Sequence, residues 1–99
     1  MRHSKGYFIV VKTSKMKDGK LCITDELLDN KAWKNFRSAC NRIRSIVKNK
    51  CVKHNYKIGY DRLVSERKKR MQSDIELMIY RGKYESVKRY SIRPMQIEI

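Results

Sequence analysis

Two hydrophobic periods run along this chain, and they predict different elements. Tyr7 to Thr13 gathers aromatic and β-branched residues, which predicts a strand. Asp18-Gly19 is a strong turn signal, and Lys20 to Ile23 reads as the returning strand of a β-hairpin. Thr24 could cap a helix, with Asp25 and Glu26 in its first turn; Asp29 and Asn30 are alternative caps. From there the period changes. Trp33, Phe36, Cys40, Ile43 and Val47 step by three and four, flanked by Ala32, Ala39 and Ile46. That is the apolar stripe of a long amphipathic helix ending near Lys50 or Lys53, with Trp33 expected to be mostly buried at its edge. Tyr56 to Tyr60, with Gly59, breaks the pattern.

The second half is less periodic. Asp61 to Gln72 reads as a short second helix, with Glu66 and Arg70 as a favourable pair one turn apart. Ile75 to Tyr80 could continue that helix to Gly82, or could be a strand turning at Arg81-Gly82. The alternation of Met95, Ile97 and Ile99 at the end of the chain favours strands. The expected fold is a small α+β domain over residues 1–99: N-terminal β-hairpin, long basic helix, short second helix and C-terminal strands. Residues 1–6 are expected to be a flexible basic tail.

Composition sharpens this picture mainly through charge. The 99 residues carry 25 Lys and Arg against 10 Asp and Glu, a net charge of +15. The excess is spread along the chain: +5 over residues 1–23, +6 over 24–60 and +4 over 61–99. Such a spread suits a polyanion held by counterion release, or an acidic protein surface. No apolar run approaches the ~18 residues of a membrane span, and Tyr7 to Val11 is shorter than the ~7–15 apolar residues of a signal peptide. A cytoplasmic location follows as the expectation, together with reduced thiols at Cys22, Cys40 and Cys51.

The charge concentrates where the helix is predicted. From Asn30 to Tyr60 there are nine Lys and Arg and no acid. On a helical wheel Lys31, Lys34, Arg37, Arg42, Arg44 and Lys48 fall on the polar side, interleaved with Ser38, Asn41, Ser45 and Asn49. A face that is merely solvated usually mixes signs, because opposite charges one turn apart stabilise a helix. Unrelieved like charge with neutral donors between is the pattern of a phosphate-contacting face. Arg67-Lys68-Lys69-Arg70 forms a second basic run, and Lys68, Lys69 and Arg70 join the candidate contacts. Arg89 and Arg93 lie close in sequence to Tyr80, Tyr84 and Tyr90, and basic and aromatic residues so interleaved can stack single-stranded bases.

Other chemistry is weakly signalled. Lys5-Gly6-Tyr7-Phe8-Ile9-Val10-Val11 begins like an RNA-recognition-motif signature, but it fails where Phe8 replaces a small residue and again at Ile9 and Lys12. Cys22, Cys40, Cys51 and His54 lack the paired spacing of a zinc module. Asp74 and Glu76 are the one close acidic pair beyond the turn and cap positions, and nothing marks them above surface solvation. No catalytic residue, metal or cofactor is therefore expected. The expected function is non-enzymatic binding of nucleic acid, DNA or RNA, through its phosphates with limited sequence specificity. The alternative is a phage- or mobile-element-type accessory protein that inhibits a host protein by docking on its acidic surface or in its nucleic-acid channel.

Overall fold

A computed structural model of the chain describes residues 3–63, 73–81 and 84–98. The order of elements is β1 (His3–Lys17), β2 (Lys20–Leu27), a single 3-10 turn (Leu28–Asn30), α1 (Phe36–Lys53), β3 (Lys57–Arg62), β4 (Asp74–Arg81) and β5 (Tyr84–Glu98). The five strands form one antiparallel sheet in the order β2-β1-β5-β4-β3. The helix lies on one face.

This architecture corrects the expected one. Among the described residues α1 is the sole α-helix, and the expected short second helix begins on Asp61 and Arg62, which are strand β3; the rest of that segment, 64–72, lies outside the described residues. The described residues of the second half of the chain after α1 form a meander of strands, β3, β4 and β5. Ile75 to Tyr80 sits inside β4, where Ile75 and Leu77 face the core and Asp74, Glu76 and Met78 face the other way. The period of two, not the apolar content, decides that segment. His3 to Gly6, expected in a loose tail, pair with Met95 to Glu98.

The hairpin turn follows from its residues. Asp18 and Gly19 both have positive φ, 52° and 75°, the conformation a two-residue turn needs if its twist is to match the strands. β2 then runs on to Leu27, because Val10 to Thr13 offer Thr24 to Leu27 a continuing ladder. That pairing overrides the helix-start signal at Thr24. Asp29 and Asn30 are not caps either. They turn the chain with φ of 59° and 48°, which Asp and Asn tolerate better than other side chains. The helix starts at Phe36, capped by Asn35, whose Oδ1 accepts from the Ser38 N–H at 2.8 Å. It ends where Asn55 turns left-handed (φ 58°) and the N–H groups of His54 and Tyr56 donate to the Lys50 carbonyl.

Phe36, Ala39, Ile43 and Val47 pack against Tyr7, Ile9 and Val11 of β1, Ile75 and Leu77 of β4, and Tyr90 and Ile92 of β5. Tyr7 meets Phe36 edge to face at 5.7 Å between ring centroids. Trp33 departs from expectation. It precedes the helix and extends β1's pairing: its N–H donates to the Tyr7 carbonyl at 2.7 Å and its carbonyl accepts from Tyr7 at 2.9 Å. Its ring is half-buried beside the core.

The molecule measures 53 × 24 × 24 Å. Its length is that of β1 and β5, 15 residues each at ~3.3 Å per residue. The 18 residues of α1 span only ~27 Å. The helix therefore covers about half of one sheet face and none of the other.

Candidate functional site

With Phe36, Ala39, Ile43 and Val47 turned inward, the helical period turns Arg37, Asn41, Arg44, Ser45 and Lys48 outward, and all five are exposed. Arg37, Arg44 and Lys48 recur at spacings of seven and four, so they line one flank over ~16 Å of helix. Arg44 leans on Asp61 of β3 at 3.2 Å, and both side chains remain solvent-exposed. Arg37 and Lys48 carry no ion pair among the described residues. Lys34 is exposed in the loop before Phe36.

Two expected members are committed elsewhere. Arg42 lies on the opposite flank and pairs with Asp29 at 3.0 Å. Its hydrogen bond holds the Asp29 carboxyl below the usual carboxylate range. Lys31 sits with its ammonium 3.9 Å from the centroid of the Trp33 ring. Lys31 and Lys34 precede the helix, so of the six basic residues expected on its polar side only Arg37, Arg42, Arg44 and Lys48 lie on α1. Lys68, Lys69 and Arg70 lie outside the described residues.

Arg89 and Arg93 belong to a different surface. Residues paired directly across an antiparallel sheet share a face. Arg89 is opposite Lys12 and Arg93 is opposite Phe8, on the face that α1 leaves uncovered. Across this face runs the row Asp25, Lys12, Arg89, Glu76, Tyr60, one residue from each strand. Lys12 and Arg89 adjoin with like charge. The flanking acids relieve it, Glu76 through an ion pair with Arg89 at 3.2 Å. A cleft of about 320 Å³ opens here, lined by Lys12, Ser73, Arg89, Ser91 and Arg93 among others. Lys12 was not among the expected binding residues. Its signal was its two-residue spacing from Val10 and Phe8, legible only once the face was known to be open.

Beside the cleft, the buried Asp74 accepts two hydrogen bonds from Arg62 (3.0 and 3.1 Å) and one from Tyr60 Oη at 2.9 Å. The Arg62 guanidinium also lies over the Tyr60 ring, 4.2 Å from its centroid. Burial and the bond to Asp74 push the Tyr60 phenol above its ordinary value. This network fastens edge strand β3 to the sheet. Asp74 and Glu76, each matched by an arginine, are used as ion-pair partners.

The remaining candidates scatter. Tyr90 is 3% exposed and its phenol is pushed up to about 12 by burial, so its ring packs in the core and cannot stack a base. Burial also raises the Cys40 thiol, which keeps it protonated at neutral pH. Cys22 is exposed on β2, Cys51 half-buried on α1, and His54 exposed at the helix end. Among the described residues no three His, Cys, Asp or Glu side chains converge to hold a metal ion, and no helix is long and apolar enough to cross a membrane. No protein-family model, curated protein or solved structure matches this chain.

Proposed function

We propose that this protein is a non-enzymatic nucleic-acid-binding module that grips the phosphate backbone with the outer flank of α1. The observation that carries the reading is the pair Arg37 and Lys48, exposed on a helix fixed by its other face, with no ion pair among the described residues. Arg44 extends the same surface, Asn41 and Ser45 add neutral donors between the charges, and Lys34 is exposed in the loop that leads into the helix. The side chains sit on a rigid element, so binding orders side chains and not backbone. Phosphate contacts fix position and carry no sequence information, so the preference among sequences is weak.

The test is a titration of labelled generic duplexes, DNA and RNA, with protein freed of nucleic acid, over a salt series. Affinity should be micromolar or tighter at low salt, and log K should fall against log salt with a slope of about −0.9 per phosphate neutralised on DNA. Absence of binding, or an affinity indifferent to salt, overturns the reading and leaves an acidic protein surface as the partner for this charge.

A further inference from the structure

The two edges of the sheet are built differently. β3 is guarded as edge strands usually are: it is six residues long, its register shifts in a bulge between Ile58 and Tyr60, and Lys57 and Arg62 stand at its ends. Gly59 lies in that bulge, where a Cβ would come within 2.8 Å of Glu76 Oε1 and 2.9 Å of Met78 Sδ. β2 is longer and has no bulge, and its charged residues are Lys20, Asp25 and Glu26. It pairs with β1 in unbroken register from Lys20 to Leu27, contains no proline, and all eight of its residues are exposed. Among the described residues no strand lies beyond it. Leu21, Ile23 and Leu27, 60%, 52% and 45% exposed, alternate along it on the open sheet face. An edge of this length with an unbroken ladder, exposed aliphatic residues and charges of both signs is a template for a strand of complementary charge pattern.

We propose that β2 is a homodimerisation edge: two copies pair antiparallel along β2, about a two-fold axis through Ile23, into one continuous ten-stranded sheet. Charge and hydrogen bonding both select this occupant and this register. The hairpin closes with Lys17 opposite Lys20, so Lys20, Cys22, Thr24 and Glu26 bond inward to β1. The N–H and C=O groups of Leu21, Ile23 and Asp25 then point outward. With Ile23 on the axis, these outward groups meet those of Asp25, Ile23 and Leu21 in the second copy, forming about six backbone hydrogen bonds. The same register sets Lys20 against Glu26 of the second copy, twice. Leu21 lies diagonal to Ile23 of the other copy, so four aliphatic side chains meet on the open face. β2 itself carries net −1 (Lys20, Asp25, Glu26) in a chain of +15, so self-repulsion is weak at this edge.

A two-fold axis perpendicular to the sheet keeps the faces matched. Both α1 helices therefore stand on the same side, about four strand spacings or ~19 Å apart. That leaves room for two helices of ~10 Å diameter. A single strand pair buries less than the ~1,200 Å² of a standard interface, so association is weak, in the micromolar range.

The experiment is analytical ultracentrifugation of the whole chain, without nucleic acid, from a few to several hundred micromolar. Wild type should form dimers, more tightly as salt screens the +15 charges. Lys20→Glu and Glu26→Lys should each weaken the dimer roughly tenfold or more by placing like charges opposite each other. The double variant should restore it, while circular dichroism of each variant matches wild type. A wild type monomeric throughout the range overturns the proposal. So do single variants that dimerise as well as wild type, and a double variant that does not recover.

Discussion

Neutralising Lys34, Arg37 and Lys48 together tests whether the position of charge matters beyond its amount. All three side chains are exposed and none has an ion pair among the described residues, so the triple alanine variant should fold as wild type, within about 0.5 kcal/mol for each surface change. Every phosphate that is no longer neutralised should make the salt slope less negative by about 0.9, or about 2.7 for three. Between 50 and 200 mM salt one neutralised phosphate changes affinity about 3.5-fold, so three change it about 40-fold. The triple variant should thus lose most of its affinity at low salt and much less at high salt. Arg42→Ala removes the same charge as Arg37→Ala, but Arg42 is held by Asp29 on the other flank. Its slope should stay close to that of wild type. Fluorescence anisotropy on one generic duplex across a salt series measures all three variants. If Arg42→Ala shifts the slope as much as Arg37→Ala, the protein binds by overall charge and the assignment of the α1 flank is refuted.

Three further outcomes follow from the structure. Asn35→Ala should cost about 1 kcal/mol in urea unfolding, because the Ser38 N–H loses its acceptor, whereas Asn35→Asp should retain the cap. Asp74→Ala should cost about 1–3 kcal/mol, less than for a fully buried pair because the Arg62 side chain, 46% exposed, can return to water; a double-mutant cycle with Arg62→Ala measures the coupling. Tyr90 should make the fold sensitive to alkali. Its phenol ionises near 10 in the unfolded chain and near 12 in the folded one, so the unfolded state binds fewer protons in that window. The stability is fully present below about pH 10 and is lost as pH rises, by about 2.3 kcal/mol at pH 12. Tyr90→Phe should flatten this decline. The difference between the two proteins isolates Tyr90 from Lys88, whose ammonium is lowered by burial and then by Lys50 and Lys15, and which shifts stability the opposite way as pH rises.

The chain by itself determined what depends on near neighbours. Asp18-Gly19 demanded a turn because few residue pairs accept two consecutive positive φ values. The step of three and four from Phe36 to Val47 demanded a helix, since only that period brings those side chains to one side. The absence of acids between Asn30 and Tyr60 required any charge relief for that segment to come from elsewhere in the chain or from a partner. Partners distant in sequence decided the rest. Thr24 to Leu27 carried helix-start chemistry, and β1 took them as strand because ladder hydrogen bonds along Val10 to Thr13 satisfy more backbone than one cap can. Trp33 fitted the wheel, yet its backbone bonds to Tyr7, 26 residues earlier, hold it out of the helix. Ile75 to Tyr80 was undecided between helix and strand until β3 and β5 lay on either side of it. The candidate site divided in the same way. Exposure of Arg37, Arg44 and Lys48 followed from the helical period alone. That Arg42 is held by Asp29, Arg44 shared with Asp61, and Arg89 and Arg93 on the opposite side of the sheet followed only from pairings far apart in sequence, because a charge is committed or available according to what folding brings within ~4 Å of it.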